Sequence, residues 1–173
     1  MKCLDTVEFE EIYELLEQSF PPEERRSLEE QKALLLREEY RLLGNIDPRG
    51  KVTALMAVWE FSDFVFLEHF AVAPSCRNAG LGTQMLRELI DSYAPKAVCL
   101  EAELPTEELS IRRQSFYKRN GFSSRPQSYL QPSLGTGRAP VPLQIFSTAE
   151  EKALTFQQIR KELYTKVYAV KIP

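Results

Sequence analysis

Histidine and closely spaced cysteines, the usual ligands of a structural zinc ion, are scarce in this sequence. The chain has one histidine, His69, and three cysteines, Cys3, Cys76 and Cys99. The cysteines do not follow the short ligand spacings of zinc motifs, so the sequence predicts no metal site. An odd number of cysteines and the lack of a signal-peptide pattern predict a reducing compartment, the cytoplasm.

Long apolar runs and an excess of positive charge are missing as well. No apolar run approaches the roughly 18 residues that a membrane-spanning helix needs, which argues against a membrane protein. The net charge is −3, and this argues against broad nucleic-acid binding, which usually requires a basic face. The 173 residues, 43% of them hydrophobic and 27% charged, suit a single domain over residues 1–173.

The common nucleotide-binding motifs are also absent. The chain contains neither Gly-Lys-Ser/Thr nor Gly-x-Gly-x-x-Gly. It has instead "RNAGLG", residues 77–82, at the switch from a strand-like stretch to helical spacing. Free amides at a helix start favour a phosphate, and glycine lets the main chain approach it. The segment therefore predicts a pyrophosphate-binding loop in which Arg77 adds charge or orders the chain. The alternative is that Gly80 and Gly82 only permit a tight turn and close helix packing.

The apolar spacing predicts a mixed α/β fold. Two helices open the chain, the first with Asp5 and Glu8 at capping-box spacing and the second with Ser27 and Glu30. The further predicted elements are a hairpin of strands 51–61 and 63–73, a helix from about 80 to 93, a strand at 96–103, a helix ending near 120, a strand at 142–147 and a terminal helix capped by Thr148 and Glu151. The strand–helix–strand order over 63–103 predicts a parallel crossover.

Two stretches of this sequence resemble the GNAT superfamily of N-acetyltransferases. "VAPSCRNAGLGTQML" is similar to its acyl-CoA-binding motif, Arg/Gln-x-x-Gly-x-Gly/Ala after a strand that ends in valine. "RRQSFYKRNGF" is similar to a later segment, whose helix ends in Phe-Tyr-x-x-x-Gly-Phe. Together with the strand between them, the two motifs cover residues 64–122. One departure is that many relatives carry an asparagine early in the later helix, where this chain reads "ELSIRR".

The resemblance implies a mixed sheet that splays between its fourth and fifth strands, flanked by helices, with an additional C-terminal helix. Acyl-CoA would lie in the gap between strands 63–73 and 96–103. Main-chain groups would pair with the pantetheine arm and hold the pyrophosphate, with acetyl-CoA as the implied cofactor. The residues assigned to the cofactor are Phe70, Ala71, Val72, Arg77, Asn78, Ala79, Gly80, Leu81, Gly82 and Thr83.

Acetyl transfer to an amine requires a base, because a primary amine has a pKa near 10.4 and must lose its proton to attack. Glu68 is the first candidate, since strand alternation places it on one face with Phe64, Phe66, Phe70 and Val72. An apolar wall of this kind would raise the pKa of its carboxyl group. The alternatives are a structural pair with an arginine and a β-bulge that changes the face.

Two other side chains in the motif region need an interpretation. Alternation points His69 away from Glu68 and predicts a hydrogen-bonded packing residue. Tyr117 matches the tyrosine that lies near the coenzyme A sulfur in the family, which implies that its hydroxyl donates to the leaving thiolate. The alternative is that Tyr117 only belongs to an apolar helix face.

The acceptor side is predicted from carboxylates. Glu101 and Glu103 share a face of the strand across the gap, so with Glu68 they could build an acidic pocket for a cationic amine. They could equally be solvated carboxylates at a strand end. By the resemblance, Tyr129 and the acidic "FPPEERR" segment lie where relatives often bind the acceptor.

The function expected from these residues is acetyl transfer from acetyl-CoA to a primary amine by direct attack in a ternary complex. The acceptor would be a small cationic molecule or a protein amine, with no nucleic acid and no membrane as partner, and a homodimer is left open. The alternative is a non-catalytic module on the same fold that binds acyl-CoA or docks to a protein.

Overall fold

The structure is a computed structural model that describes residues 1–4, 8–135 and 137–171, so the predicted cap at Asp5 lies outside the described residues. The strands are β1 Lys2–Leu4, β2 Tyr40–Ile46, β3 Val52–Glu60, β4 Phe64–Val72, β5 Ala97–Glu103, β6 Ser123–Ser124, β7 Tyr129–Gln131 and β8 Val141–Ser147. The α-helices are α1 Phe9–Ser19, α2 Leu28–Ala33, α3 Leu81–Tyr93, α4 Glu108–Arg119 and α5 Phe156–Glu162. Short 3₁₀ turns lie at Pro22–Glu24, Leu34–Leu36 and Pro74–Cys76, and a π-helical turn, Leu163–Val167, follows α5.

All eight strands form one open sheet, in the order β1-β2-β3-β4-β5-β8-β6, with β7 also paired to β8. Every pairing is antiparallel except that of β4 with β5, which are joined by α3. The predicted hairpin, parallel crossover and C-terminal helix are therefore confirmed. None of the helices within 1–4, 8–135 and 137–171 is long and apolar enough to cross a membrane.

Helices cover both faces of the sheet. On one face, side chains of α1 and α5 such as Leu16 and Ile159 pack with Trp59 and Phe66. On the other face, α3 and α4 pack against β4 and β5 through residues such as Leu86 and Tyr117. These four helices therefore bury apolar side chains against a sheet that is apolar on both sides, and the long strand β3 is buried over almost its whole length.

The capping boxes divide into one confirmed and one wrong prediction. Ser27 accepts a hydrogen bond from the Glu30 amide, and the Glu30 side chain accepts one from the Ser27 amide, as predicted. The terminal helix begins later than predicted, at a capping box of Thr155 and Gln158. The reason is Arg125, whose Nη2 donates to the carbonyls of Ala149 and Leu154 and holds that segment in turns.

A β-bulge interrupts β4 at Glu68. Leu67 pairs with Val58 and His69 with Ala57, so Glu68 is the extra residue. Before the bulge, Phe64 and Phe66 pack on the α1 side; after it, Phe70 and Val72 pack on the α3 side. The prediction that Phe70 and Val72 share a face with Phe64 and Phe66 is therefore wrong, because one extra residue reverses the alternation.

The sheet opens between β4 and β5. The two strands pair only from Phe64 with Ala97 to Leu67 with Leu100, yet β4 continues to Val72 and β5 to Glu103. Beyond the bulge, β4 pairs with β3 on one edge and borders open space on the other. This is the predicted splay between the fourth and fifth strands, and it creates the cavity described below.

Candidate active site in the splay of the sheet

A cavity of about 680 Å³ fills the gap between β4 and β5. Its walls come from both strand ends, the loop before α3, the inner face of α4 and the segment 18–24 that follows α1. Arg77, Arg112, Arg113 and Arg119 lie on this wall. Four carboxylates, Glu24, Glu68, Glu101 and Glu103, line the same cavity. One space therefore combines arginines, which suit phosphate groups, with carboxylates, which suit amines.

The loop 77–82 adopts the backbone that its glycines predict. Gly80 has a φ of +83° and directly precedes α3, and Asn78 also has a positive φ of 62°. A Cβ atom at Gly80 would meet no protein atom within 4 Å, so backbone conformation and not packing requires glycine there. The first turn of α3 therefore begins on the cavity wall, and the free amides of a helix start suit a phosphate group.

Side chains hold this loop in place. Arg77 Nε donates to the Val72 carbonyl at 2.8 Å, which ties the loop to the end of β4. Arg112 Nη2 donates to Asn78 Oδ1 at 3.0 Å, which ties it to α4. Arg77 therefore orders the chain, as one of the two predicted roles requires. Of the ten residues assigned to the cofactor, all but Ala79 and Leu81 line the cavity.

Glu68 is paired on both of its oxygens. Its side chain is 3% exposed, and it accepts hydrogen bonds from Arg26 Nη1 at 2.5 Å and from Trp59 Nε1 at 3.0 Å. Burial raises the pKa of Glu68, but the charge of Arg26 and the hydrogen bonds from Arg26 and Trp59 outweigh it and hold the pKa below its usual value. The predicted rise of the Glu68 pKa is therefore wrong, because apolar burial was expected without the arginine that accompanies it.

His69 packs beside Glu68 and not away from it. Its Nε2 lies 2.7 Å from the Glu24 carbonyl oxygen, so this nitrogen carries the proton and donates a hydrogen bond. The His69 ring packs edge-on against the ring of Phe20. Burial lowers the pKa of His69, so the ring is neutral at pH 7. The predicted hydrogen-bonded packing residue is confirmed, whereas its predicted direction is wrong because of the bulge.

Glu101 has no cationic partner within the part of the chain that the structure describes. Its two oxygens accept hydrogen bonds from the hydroxyls of Tyr129 and Tyr168, the latter at 2.6 Å. Burial raises the pKa of Glu101 to about 7, although both hydroxyls act in the opposite direction. Tyr129 lies behind Glu101 and not on the cavity wall, whereas Tyr168, which the sequence analysis missed, lines the cavity.

Glu103 and Tyr117 complete the wall near the arginines. Glu103 forms an ion pair with Arg113, and both side chains are about one third exposed. Tyr117 is 8% exposed, and its ring contacts Phe122 and Phe146. Burial raises the pKa of Tyr117 to about 12, so its hydroxyl stays protonated at neutral pH and can donate. Both predicted roles of Tyr117, packing and donation, are compatible with this position.

The fold and the cavity can now be compared with known proteins. The sequence model of the Acetyltransferase (GNAT) family matches residues 9–122. A Bacillus subtilis (strain 168) protein named "Putative acetyltransferase YjbC" is 29% identical over 164 residues, which are 92% of this chain and 82% of that protein.

Solved structures give the same result. A Bacteroides thetaiotaomicron protein described as "Putative acetyltransferase from GNAT family" superposes with a TM-score of 0.86 at 31% identity, over 98% of each chain. An aminoglycoside 6'-N-acetyltransferase complexed with coenzyme A superposes with a TM-score of 0.64 at 15% identity, over 85% of this chain and 96% of its own, and so shares the fold. The family match over residues 9–122 and the relative at 31% identity place this chain in the GNAT acetyltransferase family, and it is an acyltransferase.

Proposed function

We propose that this acyltransferase moves the acetyl group of acetyl-CoA to a primary amine of a small cationic molecule, by direct attack in a ternary complex. The observation that carries the proposal is Glu101, a carboxylate with a pKa of about 7 in the same cavity as the Arg77–Gly82 loop. Two structural neighbours that share the fold support an amine as acceptor. One is named as an aminoglycoside 6'-N-acetyltransferase and the other as a spermidine N-acetyltransferase.

The arginine-rich end of the cavity would hold the coenzyme. The amides of residues 78–83 would bind the pyrophosphate, and Arg112, Arg113 and Arg119 would add positive charge around it. The edge of β4 from Phe70 to Val72 would pair with the pantetheine arm, since this edge borders the cavity and not another strand. Bound acetyl-CoA supplies the acetyl group as a thioester.

The proposed base is Glu101 and not Glu68. The amine attacks only when neutral, so a carboxylate must accept the proton that the ammonium group releases. Glu68 is a poor acceptor of this proton because Arg26 holds it ionised. Glu101 has a pKa of about 7 and no cation beside it among the described residues, so about half of it is ionised at neutral pH and this form is basic enough to take the proton.

Tyr117 is the proposed acid. When the amine takes the acetyl group, coenzyme A would leave as a thiolate, and a proton donor beside its sulfur would assist that departure. Tyr117 is among the residues that line the cavity and its hydroxyl remains protonated at this pH, so it would give its proton to the thiolate. Glu101 and Tyr117 thus handle the two proton transfers separately.

A panel of amines tests the function through thiol release from acetyl-CoA. We expect turnover with cationic primary amines, and an acidic limb in kcat/KM centred near pH 7, because Glu101 is protonated and inactive below this pH. Glu101→Gln should lower turnover by about 10²–10⁴-fold and remove this limb, with the Kd of acetyl-CoA unchanged. Tight acetyl-CoA binding without turnover of any amine would instead favour the non-catalytic module, and an unchanged limb in the variant would exclude Glu101 as the base.

We also propose that residues 1–173 form a single acyltransferase domain that works in the cytoplasm. The support for the domain is that helices from both ends of the chain pack on one sheet. The support for the compartment is that Cys3, Cys76 and Cys99 are all free.

A further inference from the structure

The carboxylates of the cavity differ in how their charge is balanced. Glu68 is paired with Arg26, and Glu103 with Arg113. Glu101 is held only by neutral hydroxyl groups. Two of the four charges are therefore already compensated by the protein, and Glu101 is compensated by dipoles alone.

Glu24 is the fourth carboxylate of the cavity, and its carboxyl group has the fewest partners. It ends the 3₁₀ turn Pro22–Glu24, and its main-chain carbonyl is fixed by His69 Nε2. Within residues 1–4, 8–135 and 137–171 its carboxyl group has no hydrogen bond and no ion pair. Burial and the neighbouring Glu103 raise the pKa of Glu24, whereas Arg113 acts on it from a distance in the opposite direction. A cation that entered the cavity would therefore stabilise this half-buried carboxylate.

Two nearly buried polar side chains on the same wall are also incompletely satisfied. His69 is 3% exposed, and no described group donates to its Nδ1, which lies 3.9 Å from Glu68 Oε2. Gln131 is 4% exposed, and its Nε2 finds no acceptor among the described residues. Buried polar atoms are nearly always hydrogen-bonded in folded proteins. Both residues line the cavity, so two unpaired polar groups in its wall indicate a polar ligand, independently of the carboxylates.

From this arrangement we infer that the acceptor carries a second protonated nitrogen, held by Glu24, in addition to the amine that is acetylated. The inference rests on the proposed function, in which Glu101 removes the proton of the reacting nitrogen. Glu101 would then accept the proton of the nitrogen that is acetylated. Glu24 would form an ion pair with the second nitrogen, which stays protonated. The neutral His69 ring adds another hydrogen-bond acceptor at this end, which suits an ammonium group with several N–H donors.

Two kinds of molecule share this chemistry, a linear diamine and an amino sugar or amino cyclitol. They differ in oxygen content, and the Gln131 amide supplies a donor that only a hydroxyl or carbonyl oxygen can use. A preference for deoxystreptamine over cadaverine that Gln131→Leu removes would identify the oxygen-bearing class. A preference for cadaverine that Gln131→Leu leaves unchanged would identify the linear class.

The decisive comparison uses cadaverine and the amino alcohol of the same chain length, aminopentanol, which replaces one ammonium group by a neutral hydroxyl. We expect the unaltered protein to favour cadaverine by at least about tenfold in kcat/KM, since tenfold corresponds to one modest charge interaction. Glu24→Gln should reduce this ratio to within about twofold. Glu23→Gln is the matched control, because Glu23 is exposed, adjacent and equal in charge but does not line the cavity, and it should keep the ratio.

The possible failures are separable. A ratio near one in the unaltered protein, or a full ratio in Glu24→Gln, would overturn the second-nitrogen site while leaving amine acetylation intact. Absence of turnover with every amine would overturn the proposed function, and the site would then be tested by calorimetric titration of cadaverine into the CoA-loaded protein. Weaker binding in Glu24→Gln than in Glu23→Gln supports the site, and equal binding excludes it.

Discussion

At the scale of single residues, the hydroxyls around Glu101 set when this carboxylate can act. Tyr168 and Tyr129 donate to it and lower its pKa against the effect of burial. Tyr168→Phe removes one donor and keeps the ring, so the pKa of Glu101 should rise and the acidic limb of kcat/KM should move to higher pH. The measurement is a pH–rate profile over pH 5–9, as for any group that titrates at about 7.

A neighbouring tyrosine supplies the control for this prediction. Tyr164 belongs to the same C-terminal turn, but its hydroxyl donates to the Leu130 carbonyl and not to Glu101. Tyr164→Phe also loses one hydrogen bond, so it should change stability without moving the limb. Equal shifts in both variants would mean that the profile reports general loosening of the site.

Tyr117 is the second residue whose role can be isolated. Tyr117→Phe keeps the contacts with Phe122 and Phe146 and removes only the hydroxyl. A thioester sulfur is a poor acceptor in the ground state, whereas the leaving thiolate needs a proton. Single-turnover rates should therefore fall by about 10²–10⁴-fold while the Kd of acetyl-CoA stays constant.

Tyr93, which does not line the cavity, provides the control for that result. Its hydroxyl donates to Glu60. Tyr93→Phe should leave the single-turnover rate unchanged. If Tyr117→Phe also reacts at the unaltered rate, Tyr117 is a packing residue and the thiolate leaves without its help.

At the scale of elements, a substitution in the loop before α3 would strain the backbone and also fill the space beside the helix amides. The effects of strain and of filled space can be measured separately. Gly80→Val introduces a β-branched side chain at a φ of +83° and fills the space next to the helix amides. We expect acetyl-CoA binding to weaken by at least about tenfold, or about 1.4 kcal/mol, in a protein that remains folded. Calorimetry measures the affinity and thermal unfolding the stability.

Gly50 is the matched control, because it has a similar positive φ but does not belong to the proposed pyrophosphate-binding loop. Its φ is +87°, a Cβ atom there would also meet nothing within 4 Å, and it lies in the turn between β2 and β3. Gly50→Val should lose a similar stability but keep full acetyl-CoA affinity. If both variants bind acetyl-CoA normally, the loop does not hold the pyrophosphate.

The elements also show which parts of the site a sequence can predict. The loop 77–82 is formed by residues that are adjacent in sequence, and its glycines indicate a backbone that other residues rarely adopt. The spacing of these residues was therefore enough to predict the loop. The bulge at Glu68 shifts the register by one residue without a residue type that marks it, and this reversed the predicted faces of Phe70 and Val72. The pairs Glu68–Arg26 and Glu101–Tyr168 join residues 42 and 67 positions apart, which periodicity cannot detect.

At the scale of the whole molecule, Arg26 joins three distant parts of the chain. Its Nη1 pairs with Glu68 in β4, and its Nη2 donates to the Val167 carbonyl in the C-terminal turn. Arg26→Met would leave a buried carboxylate without its cation, and breaking such a pair typically costs about 3–5 kcal/mol. Chemical denaturation should show a loss of this order in the free energy of unfolding.

The pH dependence of this loss has a defined sign. The pKa of Glu68 is lower in the folded protein than in the unfolded chain. Glu68 therefore stabilises the fold at pH values above its pKa in the unfolded chain, and this stabilisation is lost as the pH falls through its pKa in the folded protein. Arg26→Met should therefore be most damaging at neutral pH and less so in acid. Lys152→Met, which removes a lysine that is 84% exposed in its pair with Glu150, should cost less than about 1 kcal/mol. Equal losses in the two variants would contradict a special role for Arg26.

The bulge has a consequence for insertions and deletions in this strand. Both faces of β4 are apolar, so hydrophobicity alone would accept its second half in either orientation. Deleting the single residue Glu68 would remove the bulge and restore strict alternation, with His69 directly after Leu67, so Phe70 and Val72 would still face α3 and Ala71 would still face α1. The strand would lose its buried carboxylate and the ion pair with Arg26, but the other residues of β4 that line the cavity would keep their faces. Deleting a residue before the bulge would instead reverse the faces of one half of β4 relative to the other, so position 68 is the place in this strand where the loss of one residue disturbs the packing of the two faces least.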